Sequence, residues 1–270
     1  TSWEDPSYVA WSKLPLKWRP AEMDKLSQEP FSLNFVYGSR RVGKTTMLKL
    51  VINELLKRAE PRAILYVSCD EFSGYRELGE VLDTYLRAKS AWDVSRSYIS
   101  LDEVTFVEDW WRAVKTRTDD GSPAASVATV TGSASLELVR QKELFPGRRG
   151  KGRDVKMMPL SFRSYVSKIH GLETAYMSSL AEAGRAVDAN KLFSGKMGQI
   201  FLGYLETGGF PLSIREKALY GEVGEESRRA LLDGFRSDLL RVGEKRIGHE
   251  GSCLIPAERQ GSSCKLALNI

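Results

Sequence analysis

The stretch "YGSRRVGKTT", from Tyr37 to Thr46, packs two glycines, two arginines, a lysine and two threonines into ten positions. Gly38, Gly43, Lys44 and Thr45 meet the spacing G-x-x-x-x-G-K-[ST] in full. That spacing describes a loop whose backbone N–H groups, with the N-terminus of a following helix, cradle an anion. Glycines are needed where a side chain would crowd the backbone or the phosphate. Lys44, expected to be exposed in the loop, would bring a point charge to the outer phosphates, and the Thr45 hydroxyl would coordinate Mg²⁺. The predicted contact set is Gly38, Ser39, Arg40, Arg41, Val42, Gly43, Lys44, Thr45 and Thr46.

A second group follows in "SYISLDEV", where a short apolar run ends in Asp102-Glu103. An acid at a strand tip beside such a loop can hold a metal through water, and a neighbouring acid can orient and deprotonate an attacking water. Asp102 is expected on the Mg²⁺ side and Glu103 on the water. In "VATVTGS" an apolar strand ends in Thr131-Gly132-Ser133. A polar residue there would reach the outermost phosphate or its water; Ser133 is the expected one, with Thr131 behind it. The basic run "FPGRRGKGRD", residues 145–154, has three uses: an arginine offered to a neighbouring subunit's nucleotide, contact with nucleic-acid phosphates, or a solvated loop. Arg148 is the expected arginine, with Arg149 as its rival. Arg215, just past "GGFPLSI", could reach the phosphates by a closing motion or serve as a surface helix residue.

These groups need elements to hold them. "FSLNFVY" at 31–37 reads as a buried strand, and Leu48, Val51, Ile52 and Leu55 recur at helical spacing over 45–58. The glycine loop therefore joins a strand to a helix, the context the motif requires. Further strands are predicted at 63–69, 97–101, 125–132 and 154–160, with helices at 75–89 and 107–117 between the earlier ones. Strands alternating with helices imply parallel pairing and a layered α/β core. Residues 1–30, broken by Pro6, Pro15, Pro20 and Pro30, read as helical and irregular pieces in which Trp11 and Trp18 pack a hydrophobic edge. After Ser161 the pattern becomes helical, at 161–170, 173–187, 196–207 and 225–242. The divisions expected are 1–30, a core at 31–160, a helical lid at 161–242 and a poorly ordered tail at 243–270.

With these pieces in order, the chain resembles the AAA-type P-loop ATPases, in particular a group found mostly in archaea. The resemblance rests on "GSRRVGKTT", "YISLDEV", "VTGSASLEL", "PGRRGKGRDVKMMPLSFRSYV" and "YLETGGFPLSI". It implies an ASCE/AAA-type P-loop NTPase fold: a five-stranded parallel sheet between helices, the Thr131–Ser133 strand in its middle, and a small all-helical lid domain. It implies ATP with Mg²⁺ as the nucleotide. A GTPase would want an Asn-Lys-x-Asp base reader, and "NKLF" at 190–193 lacks the acid. Members usually carry a winged-helix DNA-binding region after the lid. The residues after Val242 do not resemble one, so DNA is only an open partner beside ATP, ADP and further copies of the chain in a homo-oligomer.

The bulk composition is that of an ordinary soluble protein, 42% hydrophobic and 28% charged over 270 residues. No apolar run reaches the roughly 18 residues of a membrane span, and the opening residues lack a secretory layout. Three cysteines, Cys69, Cys253 and Cys264, sit at no metal-like spacing, which points to free thiols and a cytoplasmic location. A net charge of +5 permits nucleic-acid contact without requiring it. The leading expectation is an ATP hydrolase that moves the helical part against the core. The alternatives are a slow nucleotide-dependent switch or scaffold and a small-molecule kinase. Glu103, placed where a water activator belongs, argues against the kinase.

Overall fold

The computed structural model describes residues 5–119, 126–132, 138, 143–173, 188 and 194–247. Five parallel strands form the centre: β1 (Ser32–Tyr37), β2 (Ile64–Ser68), β3 (Ser97–Asp102), β4 (Ser126–Gly132) and β5 (Asp154–Lys156). Their order across the sheet is β2-β3-β4-β1-β5. β4 thus lies in the middle, between the strand that leads into the glycine loop and the strand that ends in Asp102, as the family resemblance implied. Register places Tyr37 beside Gly132 and Ser68 beside Asp102, so the ends of β1, β2, β3 and β4 come to one rim of the sheet.

The central strands are buried on both faces because helices cover the sheet on either side, and small polar residues such as Asn34, Ser100 and Thr129 are buried with the apolar ones. On β1, Leu33 and Phe35 pack into one cluster with Leu101, Val130 and the helices α3 (Tyr75–Ala91) and α4 (Trp110–Asp119). Val36 packs into a second cluster with Met47, Leu50, Val51 and Leu55 of α2 (Lys44–Leu55). This alternation along β1 sends odd and even residues to opposite layers. Trp110, fully buried, stacks on Phe145 at 5.9 Å between ring centres and tilts against Phe35 at 6.4 Å.

The N-terminal residues are part of this architecture. α1 (Pro6–Ser12) begins at Asp5, whose side chain accepts from the Tyr8 amide, with Pro6 at the first helical position. Tyr8, Trp11, Met23 and Leu26 pack into the α2 cluster, while Trp18 joins a third cluster in the helical part of the chain. That part comprises α5 (Phe162–His170), α6 (Ser194–Thr207), α7 (Pro211–Tyr220) and α8 (Glu225–Ile247). Gly208 and Gly209 both adopt left-handed backbone (φ 57° and 73°) in the turn before α7, and a Cβ on Gly209 would stand 2.3 Å from the Leu160 carbonyl oxygen. Only glycine fits there.

Some boundaries differ from those expected. β5 is a three-residue edge strand, not the seven-residue run predicted; it pairs with β1 over Asp154–Lys156, and Pro159 beyond it has no N–H to extend a ladder. α4 starts at Trp110 rather than at 107 because Val107 is extended and Asp109 is in left-handed backbone, φ 53°. The last helix continues to Ile247, past the Val242 at which it was expected to end. The helix predicted over 173–187 and most of the 243–270 tail lie outside the described residues. Among the described residues no helix is long and apolar enough to cross a membrane.

Replacing Trp110 with alanine should cost about 3–5 kcal/mol of stability, because the hole opens between Phe35 and Phe145, which cannot close on it. Urea denaturation of the variant checks this.

Candidate nucleotide site

A cavity of about 350 Å³ opens at the rim where the glycine loop leaves β1, a size suited to a small ligand. Its floor is the loop and first turn of α2, Arg41 to Thr46, with Glu103 beside them. One wall is mostly apolar and comes from the N-terminal residues Trp11, Leu14, Leu16, Trp18 and Pro20, with the single cation Lys17 over the Trp11 ring. The other comes from α7: Pro211, Leu212 and Arg215.

The loop's shape follows from its residues. Gly38 leaves β1 so close to the chain after β5 that a Cβ would stand 2.1 Å from the Met157 carbonyl oxygen. Gly43, at φ 97°, caps α2 in left-handed backbone. Arg41 is left-handed as well, at φ 65°; a non-glycine residue there costs about 1–3 kcal/mol and marks a constrained loop. Lys44, read from the sequence as exposed in the loop, is in fact buried at 4% exposure. Its Nζ donates to the carbonyls of Gly38 and Ser39 at 3.1 and 3.0 Å and lies 3.9 Å from Glu103 Oε1. The α2 helix enters directly from Gly43, so the first side chain of the helix points back under the loop rather than into solvent. Arg40 places its guanidinium 5.9 Å from the centre of the Phe106 ring, just past Glu103.

Asp102 is 2% exposed, and both its oxygens are hydrogen-bonded. Thr131 Oγ1 donates to Oδ1 at 2.5 Å, and the Tyr66 hydroxyl donates to Oδ2 at 3.0 Å. The same Thr131 oxygen accepts from the Glu103 amide at 2.9 Å. Glu103 needs that tether because it sits in left-handed backbone, φ 54°. The Glu103 carboxylate turns into the cavity while Asp102 stays behind it. Thr131, fully buried, is therefore spent on the acid pair and does not face the cavity. Ser133 lies outside the described residues. Cys69, whose amide donates to the Asp102 carbonyl, is buried. Burial, followed by the charges of Asp102, Asp70 and Glu103, pushes its thiol up to about 12, which keeps it protonated and unreactive.

The basic run falls elsewhere. Arg149 and Gly152 flank the start of β1, with the Leu33 amide donating to the Arg149 carbonyl. Strands β1 and β5 are parallel, so this is the opposite end of the sheet from Gly38. Arg149 is paired with Asp154 and lies over the Phe35 ring at 4.8 Å. Arg148 is half-buried, and its Nη1 donates to the Pro146 carbonyl at 3.3 Å. Arg215, by contrast, shares the cavity with Lys44 and Glu103. Sequence reading missed Tyr66, a strand residue with nothing local to mark its hydroxyl, and the use of Trp11 and Trp18 as cavity wall.

The donor set fits a Mg-nucleotide. Arg41, Lys44 and Arg215 supply positive charge in the cavity and Thr45 a hard hydroxyl oxygen; Asp102, behind Glu103 with both oxygens bonded, would act on Mg²⁺ through water, several of which Mg²⁺ keeps. Among the described residues no group of three or more His, Cys, Asp or Glu side chains could hold a metal by itself.

A parallel β2-β3-β4-β1-β5 sheet with a glycine loop after β1 and an acid at the tip of β3 defines a P-loop nucleotide-binding domain. The chain belongs to the AAA family: an AAA-domain family model matches residues 31–166, half of its length. The chain is also similar to the ORC2 protein of Aeropyrum pernix, at 13% identity over 75% of this chain and 61% of that one, with a TM-score of 0.39. Against CDC6P from Pyrobaculum aerophilum the figures are 14%, 81%, 67% and 0.46. Against the replication initiator DnaA bound to AMPPCP and single-stranded DNA they are 16%, 83%, 77% and 0.38. The chain thus spans under two thirds of the ORC2 protein's length, and likenesses of this strength carry no weight on function. No curated protein matches it.

Lys44→Ala should lower Mg-ATP affinity at least tenfold, by losing the charge on the phosphates. The melting midpoint should also fall by a few degrees, because two loop carbonyls lose a charged donor worth about 1.5–3 kcal/mol between them. Nucleotide titration and thermal melting check both parts; unchanged Mg-ATP affinity would remove the loop from the site.

Proposed function

We propose that the chain is a Mg-dependent ATP hydrolase that couples turnover to movement of its helical part. The observation that carries this reading is the meeting of Lys44, Thr45, Glu103 and Arg215 in one cavity with an apolar wall. The adenine would rest against Trp11, Trp18 and Pro20, and the phosphates would run along Gly38 to Thr46. Thr45 and Asp102 would hold Mg²⁺, which when bound neutralises charge on the outer phosphates. Glu103 accepts a proton from the attacking water as the bond between the γ-phosphorus and its bridging oxygen breaks. Lys44 stays 3.9 Å from Glu103 Oε1, so the cation and the water-activating carboxylate face the same phosphate. Lys44 and Arg215 then balance charge on the phosphates.

Arg215 is carried on α7, whose Pro211 and Leu212 also line the cavity. Tilting of the helical part would therefore change the charge around the outer phosphates, which is the basis for assigning it as a lid. Arg148 lies at the far end of the sheet from its own glycine loop, so it can reach a phosphate only in another copy. Ser133 is kept as a further contact to the outer phosphate or its water. A slow switch with the same site remains the second reading, and turnover above about 1 s⁻¹ favours the enzyme. A rise in turnover on adding duplex DNA would identify DNA as a partner.

Glu103→Gln should bind ATP as wild type and hydrolyse it about 100-fold more slowly, at the low end of what a positioned general base contributes. Phosphate release measured at saturating Mg-ATP checks it, and equal rates would take Glu103 out of the mechanism. Arg148→Ala should lower turnover at least tenfold while nucleotide affinity stays within about twofold of wild type. Wild-type turnover per chain should rise with protein concentration; a monomer with full activity at every concentration contradicts the assignment.

A further inference from the structure

Several buried polar groups near the cavity do not face it. Lys49 on α2 is 8% exposed, although a lysine ammonium out of water needs partners. It has two. Its Nζ pairs with Asp5 Oδ2 at 3.0 Å, and it lies 5.5 Å from the centre of the Tyr66 ring, within cation–π range. The Tyr66 hydroxyl in turn donates to Asp102 Oδ2. At the other end, Asp5 Oδ1 accepts from the Tyr8 amide at 2.8 Å and so caps α1. Asp5, Lys49, Tyr66 and Asp102 therefore stand in unbroken contact from the start of α1 to the tip of β3.

Each link has a physical consequence. An ammonium on the ring face fixes the plane of Tyr66 and makes its hydroxyl a stronger donor. The Tyr66 hydroxyl lies 3.0 Å from Asp102 Oδ2, within donating distance of the carboxylate. Burial works against the Asp5 carboxylate, but the Tyr8 amide and Lys49 outweigh it and hold Asp5 below the usual carboxylate range. Without Tyr66, Asp102 would keep only the Thr131 donor and could turn about it.

We propose that Tyr66 is a positioning residue for the Asp102 carboxylate, and that the Asp5–Lys49 ion pair holds Tyr66 in place. The N-terminal helix, which lends Trp11 to the cavity wall, thereby also sets the metal side of the site. The inference rests on the reading of the cavity as a Mg-ATP site.

The test uses the full chain and a fluorescent ATP analogue, titrated first in EDTA and then across MgCl₂ concentrations. Mn²⁺ electron paramagnetic resonance on the analogue complex gives a second readout that does not depend on turnover. Tyr66→Phe should leave affinity in EDTA within about twofold of wild type and raise the Mg²⁺ midpoint about tenfold, as loss of an outer partner of a ligating group does. Lys49→Met and Asp5→Asn should shift the midpoint the same way by about two- to fivefold, and Lys49→Arg should restore it, since these act one contact further out. Asparagine caps a helix as well as aspartate, so Asp5→Asn keeps α1 and carries the test even if Tyr66→Phe folds poorly. A wild-type Mg²⁺ midpoint in both Tyr66→Phe and Asp5→Asn overturns the positioning role, provided that Lys44→Ala has lost the analogue. If instead wild-type binding ignores Mg²⁺ and Lys44→Ala binds as wild type, the reading of the site itself has failed.

Discussion

A carboxylate at 2% exposure must have its charge met, and Asp102 is such a carboxylate. It meets this demand with one hydroxyl from each side, Thr131 on β4 and Tyr66 on β2. That is possible only because β3 lies between those strands. The strand order is therefore more than a packing solution: it places two donors around one acid. The Thr131 oxygen then accepts from the Glu103 amide and holds that residue in left-handed backbone, from which its side chain enters the cavity toward Lys44. One acid is thus buried behind the sheet rim and the next is turned into the cavity.

The cavity itself is assembled from parts distant in sequence. Its charged floor belongs to the core, and its two walls come from the N-terminal residues and from α7. The walls differ in kind. The N-terminal wall is aromatic and aliphatic, suited to a flat base, and is fastened by the Asp5–Lys49 pair and by Trp11 packing on the α2 cluster. The α7 wall is a short helix that carries Arg215, and it is anchored by the Gly208-Gly209 turn on the Leu160 backbone, where the Leu160 amide donates to the Gly209 carbonyl at 2.9 Å. A wall hinged on a glycine pair next to the strand that follows the basic run is where movement of the helical part would be felt.

Much of this was legible in sequence where chemistry and local pattern coincide. The glycine loop, Asp102-Glu103 and the central strand could be read because strand, turn and polar tip are contiguous. Reading failed where the informative contact is long-range. Nothing near Tyr66 shows that its hydroxyl will meet Asp102, thirty-six residues away, and Asp5 and Lys49 look like any surface pair. Lys44 was placed in solvent because the motif describes its role toward a ligand and not its packing under the loop. Thr131 was ranked behind Ser133 because sequence cannot say which way a strand-end side chain points; the structure turns Thr131 toward the acids. β5 is overextended in the sequence reading because the apolar residues up to Leu160 outweigh Pro159, which cannot donate to a ladder.

The central claim is that residues 38–46 hold the phosphates of ATP. Amide hydrogen exchange on the full chain, with and without Mg-ATP, tests it most directly because it reports on that loop by position. The account predicts strong slowing of exchange from Arg41 through Thr46 when Mg-ATP is present, with smaller slowing at Glu103 and around Arg215. Unchanged exchange in the loop at a Mg-ATP concentration that saturates binding, with protection appearing elsewhere, would contradict it.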